Sequence, residues 1–257
     1  MIFTVDIGNT TITMGLFSPE GELTFRGEIK TDRNKTPDQI AIDVLDMFRL
    51  KQADIQSVTG AAVSSVVPPM TAAMGGAIQL LCGVKPMIVG PGVKTGMNIR
   101  AEVHNQLGAD IVATSVGALQ KYKAPIIVID MGTATTMIVL DETGALIGGS
   151  ISPGVKISMD ALTGRTALLP GLQLDQPKKA IGRNTIDCMR SGIMLGAACM
   201  LDGMVERMEE ELGAKTTVVI TGGIARFVVP MCRTPMVYDK DLLLKGLAIL
   251  YRENTRS

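Results

Sequence analysis

The sequence contains no tryptophan, and aromatic residues make up only 3% of its 257 residues. Small and flexible side chains, among them 17 methionines, must therefore fill the core, which favours close packing of helices on sheets. Lys and Arg together number 25, as do Asp and Glu, so the chain lacks the basic excess that nucleic-acid binding usually needs. No nucleic-acid partner is expected.

Cysteine and histidine are also scarce. The single histidine, His104, and four cysteines without a Cys-x-x-Cys pair argue against a zinc site. Scattered thiols, and an N-terminal apolar run that Asp6 interrupts after five residues, predict a soluble cytoplasmic protein without a signal peptide. The longest uncharged run, 59–84, contains Pro68-Pro69 and is predicted to break into a strand, a turn and a helix rather than to span a membrane.

Strand-like and helix-like segments alternate along the chain, which predicts an α/β fold. The predicted strands cover residues 2–7, 12–17, 23–29, 57–67, 87–89, 125–129, 137–141, 145–151 and 216–220. The predicted helices cover residues 37–50, 71–82, 108–122, 184–212 and 241–253.

A pattern near the N-terminus returns in the middle of the chain, where VDIGNTTITMGL aligns with IDMGTATTMIVL. At a constant spacing of 124 residues, the matched positions are Asp6 and Asp130, Gly8 and Gly132, Thr11 and Thr135, and Leu16 and Leu140. This repetition predicts an internal duplication, with halves 1–120 and 121–257 that face each other across a cleft. Such a cleft is the usual place for a small ligand.

The residues between the first two predicted strands suit a phosphate group. Gly8 permits a tight turn, and residues 9–11 offer backbone N–H groups and side-chain donors. Asp6, at the end of a buried strand, can hold a hydrated Mg²⁺ that bridges phosphates. An ordinary hairpin turn uses the same residue types, and for a single copy it is the favoured interpretation. The second copy at Asp130 favours two loops that clamp a polyphosphate from both sides.

Other segments have a structural interpretation beside a functional one. Thr133, Thr135 and Thr136 in the second copy are candidate donors to phosphate. Asp110 stands where a helix begins, and it is either a general base or an N-cap; local sequence alone favours the cap. Gly222-Gly223 at a strand end offer flat backbone to an adenine ring or form a simple connection.

Together these motifs resemble those of a known superfamily and of one family within it. DIGNT, DMGTATT and TGG are similar to the phosphate and adenosine motifs of the actin, sugar-kinase and heat-shock chaperone superfamily. The narrower resemblance is to type III pantothenate kinases, and it extends over essentially the whole chain. The segments that carry it are SSVVPP (64–69), VGPGVKTGMNI (89–99), GAD (108–110), GGSISPGV (148–155) and IGRNT with SGI (181–193).

The resemblance implies an α/β fold of two duplicated actin-like (ribonuclease H-like) subdomains, each with a central mixed sheet, and a cleft between them. It implies ATP-dependent phosphorylation of the primary hydroxyl of pantothenate, the first step of coenzyme A synthesis, by a homodimer. Asp110 would be the proton acceptor, Asp130 the ligand of potassium or ammonium, and Asp6 a Mg²⁺ ligand through water. ATP would contact Asp6, Ile7, Gly8, Asn9, Thr10, Thr11, Ile12, Thr13, Thr133, Gly222 and Gly223, and pantothenate would contact Gly108, Ala109, Asp110, Ile111 and Thr185.

Two departures from the family pattern lie on the substrate side. Ile111 follows Asp110 where the family has Arg, and 101–104 (Ala-Glu-Val-His) replace Tyr-Asn-Pro-like residues. Arg grips a carboxylate or phosphate with paired hydrogen bonds, which Ile cannot do. Two alternatives therefore stay open: a kinase or phosphohydrolase of the same superfamily for another small acceptor, and a nucleotide-binding regulatory protein without turnover.

Overall fold

A computed structural model describes residues 1–100, 107–164 and 175–255, and it divides the chain into two compact units. The described part of unit 1 is 1–98, 107–120 and 241–255, and that of unit 2 is 99–100, 121–164 and 175–240. The predicted halves, 1–120 and 121–257, differ from these units chiefly in the C-terminal helix, which belongs with the N-terminal segment.

Unit 1 is a five-stranded mixed sheet with helices on both faces. Numbered along the chain, its elements are β1 Ile2–Ile7, β2 Thr11–Phe17, β3 Leu23–Lys30, α1 Pro37–Leu50, β4 Gly60–Ser65, α2 Pro68–Cys82, β5 Met87–Ile88, α3 Ala109–Lys121 and the C-terminal α8 Leu242–Thr255. The strand order is β3-β2-β1-β4-β5, in which β1, β2 and β3 pair antiparallel and β4 and β5 continue parallel to β1.

Small residues allow the helices of unit 1 to approach closely. α1 and α2 cover one face of the sheet, over an apolar cluster that includes Phe3, Met14 and Phe48. On the other face, α3 lies against α8, and a Cβ built on Gly246 would collide with the carbonyl group of Ala113. The low content of aromatic residues predicts close packing, and these two helices show it.

Unit 2 repeats the same architecture. Its elements are β6 Ile126–Met131, β7 Ala134–Leu140, β8 Leu146–Pro153, α4 Val155–Gly164, α5 Thr185–Arg190, α6 Gly196–Leu212, β9 Thr217–Thr221, α7 Ala225–Val228 and β10 Val237–Tyr238. The strand order β8-β7-β6-β9-β10 matches β3-β2-β1-β4-β5, and each pair keeps its parallel or antiparallel sense. Even the bulge between the second and third strands recurs, at Leu16/Phe17 and at Val139/Leu140.

The strand register confirms the duplication but corrects its alignment after the first strand. Ile7 pairs with Ile12 across the β1–β2 turn, whereas Met131 pairs with Thr135 across the β6–β7 turn. The second turn is therefore one residue shorter than the first, and Thr135 corresponds to Ile12 rather than to Thr11. The constant spacing predicted from the sequence is wrong beyond the turn, because the alignment contained no gap.

The long helix predicted over residues 184–212 is interrupted. Residues Ser191–Leu195 form a π-helical turn between α5 and α6. By length and composition alone the run Thr185–Leu212, which contains an 18-residue window with a mean hydropathy of 1.2, is able to cross a membrane. Its apolar side nevertheless packs in the core of unit 2 through Ala198, Leu201 and Val205. A core helix passes the same test, so this run is weak support for a membrane partner.

Candidate active site

The β1–β2 turn of unit 1, residues 8–10, is here called loop 1, and its Gly8 and Thr10 carbonyl groups both accept hydrogen bonds. The Gly8 N–H donates to the Thr11 carbonyl oxygen at 3.0 Å. From the end of β3, Thr31 donates its N–H to the Thr10 carbonyl oxygen at 3.0 Å and its hydroxyl to that of Gly8 at 2.7 Å. The N–H groups of Asn9 and Thr10 find no acceptor among the described residues. Loop 1 therefore presents free donors, as anion-binding backbone concavities do.

Asp6 lies beside loop 1, at the end of β1, between hydroxyl-bearing residues of both neighbouring strands. Thr13 of β2 and Ser64 of β4 are its partners in register. The Ser64 hydroxyl is fully buried and has no hydrogen-bond partner within the described chain. Carboxylate and hydroxyl oxygens are hard donors, so the residues fit a hydrated Mg²⁺. By contrast, the side chains of Ile7 and Ile12 lie in the hydrophobic core and leave only their backbone for ligand contact.

The corresponding turn of unit 2, Gly132–Thr133, is here called loop 2, and it is tighter. The Gly132 N–H donates to the Ala134 carbonyl oxygen at 3.0 Å, and the Gly154 N–H donates to that of Thr133 at 3.1 Å. A Cβ on Gly154 would lie 2.6 Å from the Gly132 carbonyl oxygen. Thr133 is exposed, with its N–H open. Thr135 is instead only 1% exposed and lies on the core-facing side of β7, so the prediction that it is a phosphate donor is wrong.

Asp130 repeats the arrangement seen around Asp6. Thr136 of β7 and Thr221 of β9 are its register partners. Gly222 has a φ of +96°, and a Cβ there would lie 2.8 Å from Asp130 Oδ1 and 2.5 Å from the Met131 carbonyl oxygen. Only glycine fits this left-handed position against the carboxylate. The oxygen donors around Asp130 fit a monovalent cation. The next residue, Gly223, has open space where a Cβ would be.

Asp110 lies in the first turn of α3, in unit 1. Because α3 begins at Ala109, Asp110 is inside the helix and not at the cap position that local sequence favours. Its Oδ1 accepts the Ile111 N–H at 2.9 Å and lies directly over the Cα of Gly108, where a Cβ would collide with it. A carboxylate is favourable at this positive end of the helix dipole. The second carboxylate oxygen of Asp110, Oδ2, does not take part in the hydrogen bond with the Ile111 N–H.

Thr185 begins α5 in unit 2, with its side chain exposed. Asn184 is the N-cap: its Oδ1 accepts the Asp187 N–H at 2.9 Å, and its amide donates to the Asp187 carboxylate at 2.8 Å. Asn184 therefore caps the helix with its side chain, which leaves the hydroxyl of Thr185 available. Residues 101–104, where the chain departs from the family pattern, lie outside the described residues.

The predicted site residues fall into two groups, one in each unit. Unit 1 holds loop 1 with Asp6 and the segment 108–111, and unit 2 holds loop 2 with Asp130, Thr185 and Gly222-Gly223. Sequence reasoning missed Thr31, and it gave no individual role to Ser64, Gly154 and Thr221, although each lies in a motif that carries the family resemblance. Thr31 and Gly154 share a signal, because each is the first residue after the third strand of its copy. Within residues 1–100, 107–164 and 175–255, no cluster of three metal-ligating side chains occurs.

The duplicated sheets, with an acid at the end of each first strand and a glycine-containing loop after it, define a class: proteins of the actin-like fold, which sugar kinases share. Comparison of folds agrees. A putative 2-dehydro-3-deoxygalactonokinase from Sinorhizobium meliloti aligns with a TM-score of 0.62 at 11% identity, over 100% of this chain and 98% of its own. A conserved putative Baf family transcriptional activator from Campylobacter jejuni gives 0.61 at 16% identity, over 98% of both chains. At these identities the likeness concerns the fold alone.

Sequence comparison identifies the family. The model of the family described as type III pantothenate kinase matches residues 2–207. A type III pantothenate kinase from Moorella thermoacetica is 39% identical over 255 residues, which are 99% of this chain and 100% of that protein. The chain belongs to the type III pantothenate kinase family and is a phosphotransferase.

Proposed function

We propose that this kinase transfers the γ-phosphoryl group of ATP to the primary hydroxyl of pantothenate, the opening step of coenzyme A synthesis. Family membership supports the acceptor. The observation that supports nucleotide binding is loop 1, in which the Gly8 and Thr10 carbonyl groups are hydrogen-bonded to Thr31 while the N–H groups of Asn9 and Thr10 stay free. Phosphoryl transfer depends mainly on positioning and charge stabilisation, which such a loop supplies.

Asp6 and loop 1 would hold the phosphate end of ATP. Asp6 would bind Mg²⁺ through water, and loop 1 together with Thr11 at the start of β2 would donate to phosphate oxygens. When bound, the metal neutralises charge on the β- and γ-phosphates. Thr13 and Ser64, at the same level as Asp6 on the neighbouring strands, keep the carboxylate in a hydroxyl-lined setting.

Loop 2 and its neighbours would hold the remainder of the nucleotide. Thr133 donates to ATP, and Asp130 binds potassium or ammonium with help from the hydroxyls of Thr136 and Thr221. Gly222 and Gly223 offer flat backbone to the adenine ring. The absence of a Cβ at Gly222 is necessary for this arrangement, because the carboxylate of Asp130 occupies that space.

Asp110 would accept the proton of the pantothenate hydroxyl as it attacks the γ-phosphorus. Its carboxylate is held by the Ile111 N–H through Oδ1, and Oδ2 takes the proton. Gly108, Ala109, Ile111 and Thr185 would contact pantothenate in this proposal, as the family resemblance implies. Because Ile111 has no donor on its side chain, another group of the enzyme must bind the pantothenate carboxylate, and His104 is a candidate.

The finer features of the family complete the proposal: the enzyme works as a cytoplasmic homodimer, without nucleic-acid or membrane partners. The balanced charge of 25 basic and 25 acidic residues supports the first of these absences. Because Ile111 replaces the family Arg, one alternative function stays open: a kinase of the same fold that acts on another small hydroxyl compound.

The deciding experiment measures ADP formation from ATP with Mg²⁺, potassium and pantothenate. Asp110→Asn should lower kcat by about 10²- to 10⁴-fold while ATP still binds, because the base is lost and the nucleotide site is not. Asp38→Asn is the matched control, since Asp38 is also an acid in the first turn of a helix. Turnover on other hydroxyl compounds but not on pantothenate would contradict the acceptor, and ATP binding without any turnover would indicate a regulatory protein.

A further inference from the structure

One basic side chain outside all the family motifs touches loop 1. Arg33, in the connection between β3 and α1, donates from Nη2 to Asn9 Oδ1 at 2.8 Å. Arginine has only donors, so the Asn9 atom in this contact must be the amide oxygen. The Asn9 NH₂ group consequently points away from Arg33. The contact thus fixes which end of the Asn9 amide is available to a ligand.

The backbone that carries Arg33 is ordered by its own hydrogen bonds. The Asp32 carboxylate accepts the Asn34 N–H at 3.0 Å, and the Asp32 carbonyl oxygen accepts the Lys35 N–H at 3.3 Å. Lys35 in turn forms an ion pair with Asp43 of α1. On the other side, Thr31 is bonded twice to loop 1. The position of Arg33 beside Asn9 is therefore fixed from both ends of the connection.

The charge of Arg33 is not neutralised within the described part of the chain. No carboxylate there lies within ion-pair distance of its guanidinium, and the side chain is exposed. One hydrogen bond to Asn9 uses one of five N–H donors. An uncompensated guanidinium beside free N–H groups matches a polyanion, and its planar fork suits phosphate oxygens.

We propose that Arg33 is a positioning residue of loop 1, which orients the Asn9 amide towards the phosphates and supplies positive charge to the bound triphosphate. The inference rests on the proposed function only in that ATP is the ligand of loop 1. It adds a role for a residue that lies outside the phosphate, adenosine and substrate motifs.

Equilibrium binding separates this role from a structural one. Calorimetry with a non-hydrolysable ATP analogue and with AMP, both with Mg²⁺, tests wild type, Arg33→Ala and Arg33→Gln. Arg33→Ala should lower the affinity for the ATP analogue about tenfold, because it removes a charged donor. Arg33→Gln should weaken it less, since Gln can still donate to Asn9 Oδ1. AMP, which lacks the β- and γ-phosphates, should bind all three proteins alike.

Kinetics and a matched control complete the test. In Arg33→Ala the KM for ATP should rise by the same factor, with kcat and the KM for pantothenate within about twofold. Arg49→Gln is the control, because Arg49 is an exposed arginine at the far end of α1, about 20 Å along the helix axis from its start. Arg49→Gln should change the affinity for neither the ATP analogue nor AMP.

Two results would overturn the proposal: unchanged binding of the ATP analogue in Arg33→Ala, or an equal loss of AMP affinity. Neither depends on the acceptor. A wild-type protein that binds ATP but leaves pantothenate unphosphorylated would refute the proposed function while leaving the role of Arg33 standing.

Discussion

The two units have the same strand order and differ in one residue of one turn, and that residue changes how the turn is held. Loop 1 is held from the end of β3 by Thr31, through both its N–H and its hydroxyl. Loop 2 is held from the equivalent position by Gly154, whose N–H reaches Thr133. The shorter loop brings its carbonyl groups so close that no Cβ is tolerated there. Duplicated loops therefore need not use equivalent side chains for equivalent hydrogen bonds.

The segments that follow Thr31 in unit 1 and Gly154 in unit 2 differ even more. In unit 2, α4 begins at Val155, directly after Gly154. In unit 1, a connection of five residues separates Thr31 from Pro37, where α1 begins, and Arg33 lies in it. This segment therefore places a basic residue beside loop 1 in unit 1 and a helix start after loop 2 in unit 2.

Replacement of the two strand-end acids, Asp6 and Asp130, is expected to have the largest effect and tests whether the two units have different roles. Asp6→Asn should lower kcat/KM by about 10²-fold or more, because it removes the carboxylate assigned to Mg²⁺. Asp130→Asn should lower it roughly tenfold and abolish the stimulation by potassium. Steady-state kinetics at varied Mg²⁺ and K⁺ measure both effects. Equal losses with unchanged potassium dependence would show that the units have not divided these roles.

Alanine at the residue after the third strand tests the difference in loop length. Gly154→Ala should destabilise the protein by about 2 kcal/mol, since the methyl group collides with the loop 2 carbonyls. Thr31→Ala should cost about 1 kcal/mol through its lost hydroxyl bond. Thermal unfolding measures both.

Gly164→Ala is the control for that comparison, because a Cβ at Gly164 meets no atom of the described residues within 4 Å. Its melting temperature should match that of wild type. If Gly154→Ala were as stable as Gly164→Ala, the close approach in loop 2 would not constrain the fold.

The smallest expected effect concerns the turns between the second and third strands, which are otherwise alike. Ser18 in unit 1 and Asp141 in unit 2 both accept a glycine N–H at their carbonyl oxygen, from Gly21 at 3.0 Å and Gly144 at 2.9 Å. The hydrogen bond from the Thr143 hydroxyl, followed by backbone N–H groups and Arg100, holds the pKa of Asp141 below its usual range. A depressed pKa stabilises the fold above the unfolded value of about 3.9.

Asp141→Ser gives unit 2 the residue of unit 1 and should remove this stabilisation. At pH 7 the variant should be less stable than wild type by about 1 kcal/mol. The difference should shrink as the pH falls through the pKa of the folded state, when wild-type Asp141 becomes protonated. Urea unfolding at pH 7 and pH 3 measures it, with Glu142→Gln as an exposed neighbour of equal charge change. A difference that stays constant with pH would exclude a charge effect.

The sequence was sufficient for the strands and for the duplication because both depend on local patterns. The strands β1–β3 and β6–β8 were predicted to within about three residues at each end, since apolar alternation and turn residues mark them. The two-residue strand β10 and the short helix α7 were not predicted, because elements of this length carry no periodicity. The π-helical turn at Ser191–Leu195 has no sequence signal either, since its residues suit an α-helix.

The residues of the candidate site likewise include some that local sequence patterns predict and others that only the three-dimensional structure shows. Asp6, Gly8 and Asp130 were found because they recur at matching places. Ser64 and Thr221 lie in quoted motifs, but their position beside the acids was not predicted, because it arises from parallel pairing of strands far apart in the chain. Thr135 was misassigned for the same reason, since only the register shows which face of β7 it occupies.

The position of α8 has a consequence for the order in which the protein is made. Leu244, Leu247 and Leu250 are buried in unit 1, whose other described residues end at 120. The described residues 121–164 and 175–240, by contrast, belong to unit 2 alone. During synthesis, unit 2 has nearly its whole chain available before the last helix of unit 1 leaves the ribosome. Unit 1, although it begins the chain, completes its core last.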